Sequence, residues 1–273
     1  MNDTDTSPEK IFVVIDPTSE QQSALDRAVA LARHYGARIH SYLCIYSNLE
    51  TDNPEMLKKV EMDRYKLWLD TFIEPIRAKG IDIDVQIDWS PSWREAMRDA
   101  VLHADCDLII KQTTRTRGRS IMMTSSDTLL FEATKVRIHL TTPREEPPSN
   151  KILAAVDVAR DNAKYRKLFE SVLRIGKDIE KAHADEGAEL HVVYAYATQE
   201  DYRHVTDVAK ATGVDPERVH VVGGRPEEAI EKVAGDLNPY LVIIGLSAGR
   251  RLFGATSDWI LNNIHHDVLV IQS

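Results

Sequence analysis

The chain has 273 residues, 43% of them hydrophobic and 28% charged, with a formal net charge of −9. That length holds one or two domains, each with its own core. The acidic balance argues against a nucleic-acid partner, whose phosphates would be repelled, and apolar runs no longer than a strand exclude a membrane span and a membrane partner.

The first nine residues are polar and acidic. They lack the basic flank and apolar core of a signal peptide, so a disordered tail over 1–9 and a cytoplasmic location are expected. A fully apolar strand, Ile11 to Ile15, ends at Asp16. A helix follows, with Ala24, Leu25, Ala28, Val29, Leu31 and Ala32 as its stripe, closed by Gly36. Ile39 to Tyr46 reads as a second strand, Glu55 to Lys79 as a long amphipathic helix, and Ile81 to Trp89 as a third strand. Pro91 opens a helix to about His103. Leu108 to Lys111 is a fourth strand, Ser126 to Glu132 a short helix, and Val136 to Leu140 a fifth strand.

Residues 143–150 are proline-rich and charged, without apolar periodicity, and read as a linker. Then the order repeats. Ile152 to Val156 ends at Asp157, and a helix carries Leu168, Phe169, Val172, Ile175 and Ile179. Strands follow at Leu190 to Tyr196, Val219 to Val222, Val242 to Gly245 and Val268 to Ile271, with helices over Tyr202 to Ala211 and from Pro226 to Val233. Matching Asp16 to Asp157 and Lys111 to Gly245 gives two copies of one fold. The predicted class is α/β: two tandem open, doubly wound, five-stranded parallel-sheet domains, over 10–142 and 151–273. Ligands of such sheets lie at the carboxyl ends of the strands, where Asp16, Asp157 and Gly245 fall. The apolar fifth strands predict that the two domains pair with each other, and a homodimer is a further reading.

Chemistry concentrates in the last stretch. Gly245, Gly249 and Gly254, with Thr256 and Ser257 before a helical pattern, form a loop whose N–H groups and hydroxyls suit a phosphate. Any parallel α/β unit also needs a glycine turn and a helix cap, so a purely structural role stands beside that one. Cys44 and Cys106 make neither a disulfide framework nor a metal spacing, and His265 and His266 are adjacent, so no metal site is expected. Ser247 and Ser257 have no identifiable base, and no catalytic residue is assigned.

The doubled order of elements, with Val14-Ile-Asp-Pro17, Thr124-Ser-Ser-Asp127 and Phe253-Gly-Ala-Thr256, resembles the tandem-domain members of the universal stress protein family. The resemblance runs from about Lys10 to Ser273. It implies a stress-response role, paired domains and, in some members, ATP binding. Carried over, Asp157 would hold adenine with Ala195 beside it, and Gly245, Gly249, Gly254, Thr256 and Ser257 would hold the phosphates of ATP or AMP. The spacing between the second and third glycines is shorter here than in the family's loop, and it carries Arg250 and Arg251. In the first domain Lys111 stands for the first glycine, so that loop is expected to be empty and Asp16 to be structural. The leading expectation is a non-enzymatic stress protein with a nucleotide in the second domain. The alternatives are an interaction scaffold or binder of a small apolar ligand, and a weak ATPase.

Overall fold

A computed structural model describes residues 7–46, 53–113, 125–143, 147–160, 162–246 and 265–272. The chain divides into two compact units. One holds the described residues up to Gln112 together with Ser125–Val136; the other holds Thr113 and the described residues from Arg137 onward.

In the first unit β1 (Lys10–Val14), β2 (Arg38–Ile45), β3 (Ile83–Trp89) and β4 (Leu108–Gln112) form parallel ladders in the order β3-β2-β1-β4. Central strands without alternation must be covered on both faces; accordingly Ile11, Phe12, Val13, Ile109 and Ile110 are fully buried. Helix α1 (Ser23–Tyr35) buries Ala24, Leu25, Ala28 and Ala32 and stops at Gly36, whose φ of 71° suits a residue without Cβ. Helix α2 (Pro54–Arg77) starts with Pro54 behind Asn53, whose side chain accepts from the Met56 N–H. It ends two residues earlier than the sequence pattern suggests, after the internal Pro75, and turns out through Gly80 at φ 79°. Helix α3 (Trp93–Ala104) begins after Pro91 rather than at it, and α4 is Ser125–Ala133.

The second unit contains β5 (Arg137–Thr141), β6 (Lys151–Val156), α5 (Ala163–Ala182), β7 (Glu189–Tyr196), α6 (Val205–Thr212), β8 (Val219–Gly223), α7 (Pro226–Leu237), β9 (Leu241–Leu246) and β10 (Val268–Gln272). Its strands run β5-β10-β9-β6-β7-β8, parallel except for β5, which is antiparallel to β10. Helix α6 starts later than the periodicity predicts, because the His204 ring accepts from the Thr206 N–H and caps it there. Helix α5 packs tightly on the sheet: a Cβ on its Gly176 would sit 2.9 Å from Leu190 Cδ1.

The last strand of the first repeat therefore belongs to the second unit. Its register with β10 is Leu140↔Val268 and Ile138↔Val270. A buried polar clasp holds that pairing. Asp267 Oδ2 lies 3.2 Å from His139 Nε2, and Asp267 Oδ1 accepts from the Thr142 N–H at 3.1 Å. The Thr113 and Thr142 hydroxyls donate to the Thr141 and His266 carbonyls. Asp267→Ala leaves the buried Thr142 N–H without this acceptor, so it should destabilise the second unit by about 1–3 kcal/mol. Urea unfolding of the variant checks this, with the loss confined to the transition that reports the second unit.

Candidate functional site

At the carboxyl edge of the second unit, three neighbouring strands bring together the residues singled out by the sequence. Asp157 directly follows β6, whose Val156 is level with Tyr194 of β7. Continuing that register sets Asp157 level with Ala195, which itself faces Val222 of β8. On the other side Ala154 is level with Ile243, and continuing that ladder sets Val156 level with Gly245. Asp157, Ala195 and Gly245 therefore share one edge. Gly249, Gly254, Thr256 and Ser257 lie outside the described residues.

The Asp157 carboxylate is half-exposed and organises its own turn. Oδ1 accepts from the N–H groups of Ala159 and Arg160, at 3.1 and 3.3 Å. Oδ2 lies 3.0 Å from Arg160 Nε, with both side chains largely in solvent (59% and 43% exposed). An ion pair so exposed contributes roughly 0–1 kcal/mol, so a ligand donor can replace Arg160 at little cost. The Arg160 guanidinium also lies over the Tyr165 ring, 4.8 Å from its centroid. Beneath, Tyr194 is fully buried, and its hydroxyl donates to the Asp201 carbonyl. Burial first, and then the Asp157 charge, raise its phenol above the ordinary range.

Gly245 lies within β9, which runs one residue beyond it, level with Ile271 of β10. A Cβ there would sit 2.6 Å from Leu168 Cγ of α5. Helix packing is thus a sufficient physical reason for this glycine, independent of any phosphate.

The corresponding edge of the first unit is filled by its own side chains. Asp16 Oδ1 accepts from Thr18 N–H and Oγ1, at 2.9 and 2.6 Å. The buried Gln22 side chain spans the same turn: it accepts from the Asp16 N–H and donates to the Asp16 and Ser19 carbonyls. The register also corrects the pairing of the repeats. Ile11 is level with Leu108 as Ile152 is with Leu241. Gln112, not Lys111, is therefore the counterpart of Gly245. Gln112 Oε1 accepts from Ser23 N–H and Oγ at the start of α1. Lys111, one residue earlier, points to the other face. There its Nζ pairs with Asp127 Oδ1 at 2.8 Å, with the two side chains 8% and 2% exposed. Asp127 lies in the first turn of α4, where a negative charge is favoured. The first unit thus supplies its own carboxylate and cation inside the fold.

Sequence reading missed Gln22, Gln112 and the Lys111–Asp127 pair. The signal available was a lysine in a buried strand, which demands a carboxylate partner. Both cysteines are free; Cys106 is buried and Cys44 partly so. Burial first, then the Asp107 charge, pushes the Cys106 thiol up to about 11, and burial raises Cys44. Among the described residues no three His, Cys, Asp or Glu side chains are placed to hold a metal ion, and no helix is long and apolar enough to cross a membrane.

Two tandem α/β repeats with mostly parallel sheets define the class of protein. The model of the universal stress protein family matches residues 8–135 and 148–272; the chain belongs to that family. Universal stress protein E of Escherichia coli (strain K12) is 24% identical over 299 residues, covering 97% of this chain and 94% of that protein. Its homologue from Haemophilus influenzae is 21% identical over 301 residues, covering 96% of each. A functionally unknown protein from Pseudomonas aeruginosa PAO1 shares the fold at a TM-score of 0.78 and 23% identity, over 97% of this chain and 93% of the other. A universal stress protein from Archaeoglobus fulgidus does so at 0.69 and 16%, over 98% and 99%.

Two outcomes follow from this geometry. Gly245→Ala should cost about 1–3 kcal/mol through overpacking against Leu168, and Leu168→Ala in the same chain should recover part of that; a double-mutant cycle by denaturant unfolding measures the coupling. Lys111→Ala strands a buried carboxylate and should destabilise the first unit by about 3–5 kcal/mol, read by the same method.

Proposed function

We propose that this protein is a cytoplasmic, non-enzymatic stress-response protein whose second repeat binds an adenine nucleotide and whose first repeat does not. The supporting observation is the asymmetry of the two carboxyl edges at one register level. The first presents Gln112, with Gln22 filling the turn beside it. The second presents Gly245 and the half-exposed Asp157 carboxylate. Asp157 would accept from the adenine amino group, with the backbone at Ala195 beside it. The phosphates would fall to Gly249, Gly254, Thr256 and Ser257, on the strength of the sequence alone. The two repeats are further proposed to pair with each other; the antiparallel match of β5 with β10 supports this. The raised thiols of Cys106 and Cys44 offer no reactive nucleophile, in keeping with a binding role.

A second reading, an interaction scaffold without nucleotide, is favoured by one specific fact. Leu168 already accounts for Gly245, and Asp157 already caps its own turn. Calorimetric titration of ATP and AMP into protein stripped of co-purified ligand separates the two. Under the nucleotide reading, Asp157→Ala should weaken binding by about 1.5–3 kcal/mol, roughly ten- to hundredfold in Kd. Gly254→Val should abolish it, and Lys111→Ala should leave affinity unchanged wherever the protein is folded. Absence of heat with both nucleotides leaves the scaffold; phosphate release in excess over protein would instead identify an ATPase.

A further inference from the structure

The two units place a histidine at the same point of the second strand of each repeat. His40 is level with Phe12 of β1, and His191 with Leu153 of β6. Their neighbours on the third strands also correspond: Gln86, level with Tyr42, matches His220, level with Val193. The hydrogen-bond chemistry of the two positions differs in kind.

In the first unit His40 Nδ1 lies 2.8 Å from Asp84 Oδ2, and Nε2 lies 3.1 Å from Gln86 Oε1. The Gln86 amide nitrogen donates to both oxygens of Asp88, which fixes its orientation. Both partners of the ring are therefore acceptors, and a ring with N–H on both nitrogens keeps both bonds.

In the second unit His191 Nδ1 lies 3.1 Å from His220 Nε2, with the rings stacked at 24°. One nitrogen must keep a lone pair for that bond to exist. A proton on each facing nitrogen sets N–H against N–H. The surroundings are mixed. Glu189 lies 3.5 Å from His191 Nε2 and Asp236 of α7 acts on His220, but Lys151 and Arg218 oppose added positive charge. Arg218 is held there by Glu180 and Glu189, at 3.0 and 3.7 Å.

We propose that the His191–His220 contact is an acid-sensitive latch on the β7–β8 edge of the second unit, and that the first unit, with Gln86 in place of the second histidine, lacks it. Burial first, aided by Lys151, keeps both rings below the ordinary histidine value. The sign follows. Below about pH 6.5 the unfolded chain takes up protons that the folded pair resists, so the pair's contribution is complete above that value and is lost as pH falls. Because β7 also carries Ala195, acidification would loosen the strand beside the candidate nucleotide edge, yet the latch does not depend on a nucleotide being bound there.

Amide hydrogen exchange on the full chain tests this, at about pH 7.5 and about pH 5.5 with rates corrected for intrinsic chemistry. Residues 190–196 and 219–223 should lose about three- to tenfold in protection relative to 39–45 and 83–89. His220→Gln, which puts the first unit's residue at that position and removes the facing ring, should remove the difference. Equal responses of the two units, or a difference that persists in His220→Gln, would overturn the latch. Should that variant not fold, the wild-type ring signals decide: His191 and His220 titrating at or above the ordinary histidine value would also overturn it.

Discussion

The hydrogen-bond register between the opening strand of each repeat and its neighbour fixes what each unit presents at its carboxyl edge. Ile11 is held level with Leu108, and Ile152 with Leu241. Neither ladder can slip, because a one-residue shift turns every side chain to the other face, and both faces here are packed with Ile11, Phe12, Val13, Ile152, Leu153 and Ala154. Everything at the edge is consequent on this. Gln112 and Gly245 come to the same level on the same side of their sheets. The glutamine ties down the start of α1; the glycine lets α5 lie close against β9.

Much of this was legible in the sequence, for local reasons. Apolar runs bounded by Asp16, Asp157 and glycines gave the strands, and 3.6-residue stripes gave the helices. The α/β class and the tandem family followed from the repeated order. What escaped depended on partners distant in the chain. Leu108-Ile-Ile and Val242-Ile-Ile look alike as apolar runs, so aligning them by composition is off by one residue, and that one residue exchanged Gln112 for Lys111. The need for Gly245 comes from Leu168 on a helix far upstream, and the Asp267–His139 clasp joins the last strands of two repeats, far apart in the chain. No window of sequence contains either contact. The allocation of β5 to the second unit escaped for the same reason: its apolar pattern fits any sheet, and only its pairing with β10 decides.

The two units also handle polar groups differently in ways that composition averages out. The first buries the Lys111–Asp127 pair inside, and brackets His40 with Asp84 and Gln86 at its second and third strands. Such pairs are poor contributors to net stability, but costly to break singly. The second unit has apolar Ile244 where Lys111 stands in the first, since both lie one residue before the matched Gln112 and Gly245. At its carboxyl edge the ionic contact, Asp157–Arg160, lies toward the surface, and its buried Asp267–His139 contact sits at the β5–β10 pairing instead. Both edges keep an aspartate that caps its own turn, Asp16 and Asp157; what differs is Gln112 with Gln22 beside the first and Gly245 beside the second.

That difference bears on how an acidic protein could receive a polyphosphate at all. A net charge of −9 repels such a ligand, but at physiological ionic strength the repulsion is screened beyond roughly 8–10 Å. Under the proposed nucleotide reading, what such a ligand would meet is therefore the local charge of the edge. Arg160 stands there, its guanidinium shared between the Asp157 carboxylate and the face of Tyr165. A neutral donor that took over Asp157 would leave both charges in place and release the Arg160 guanidinium from one exposed ion-pair contact. In the first unit, with Asp16 matched to Asp157, the position of Arg160 is taken by Ser19, which offers no cation.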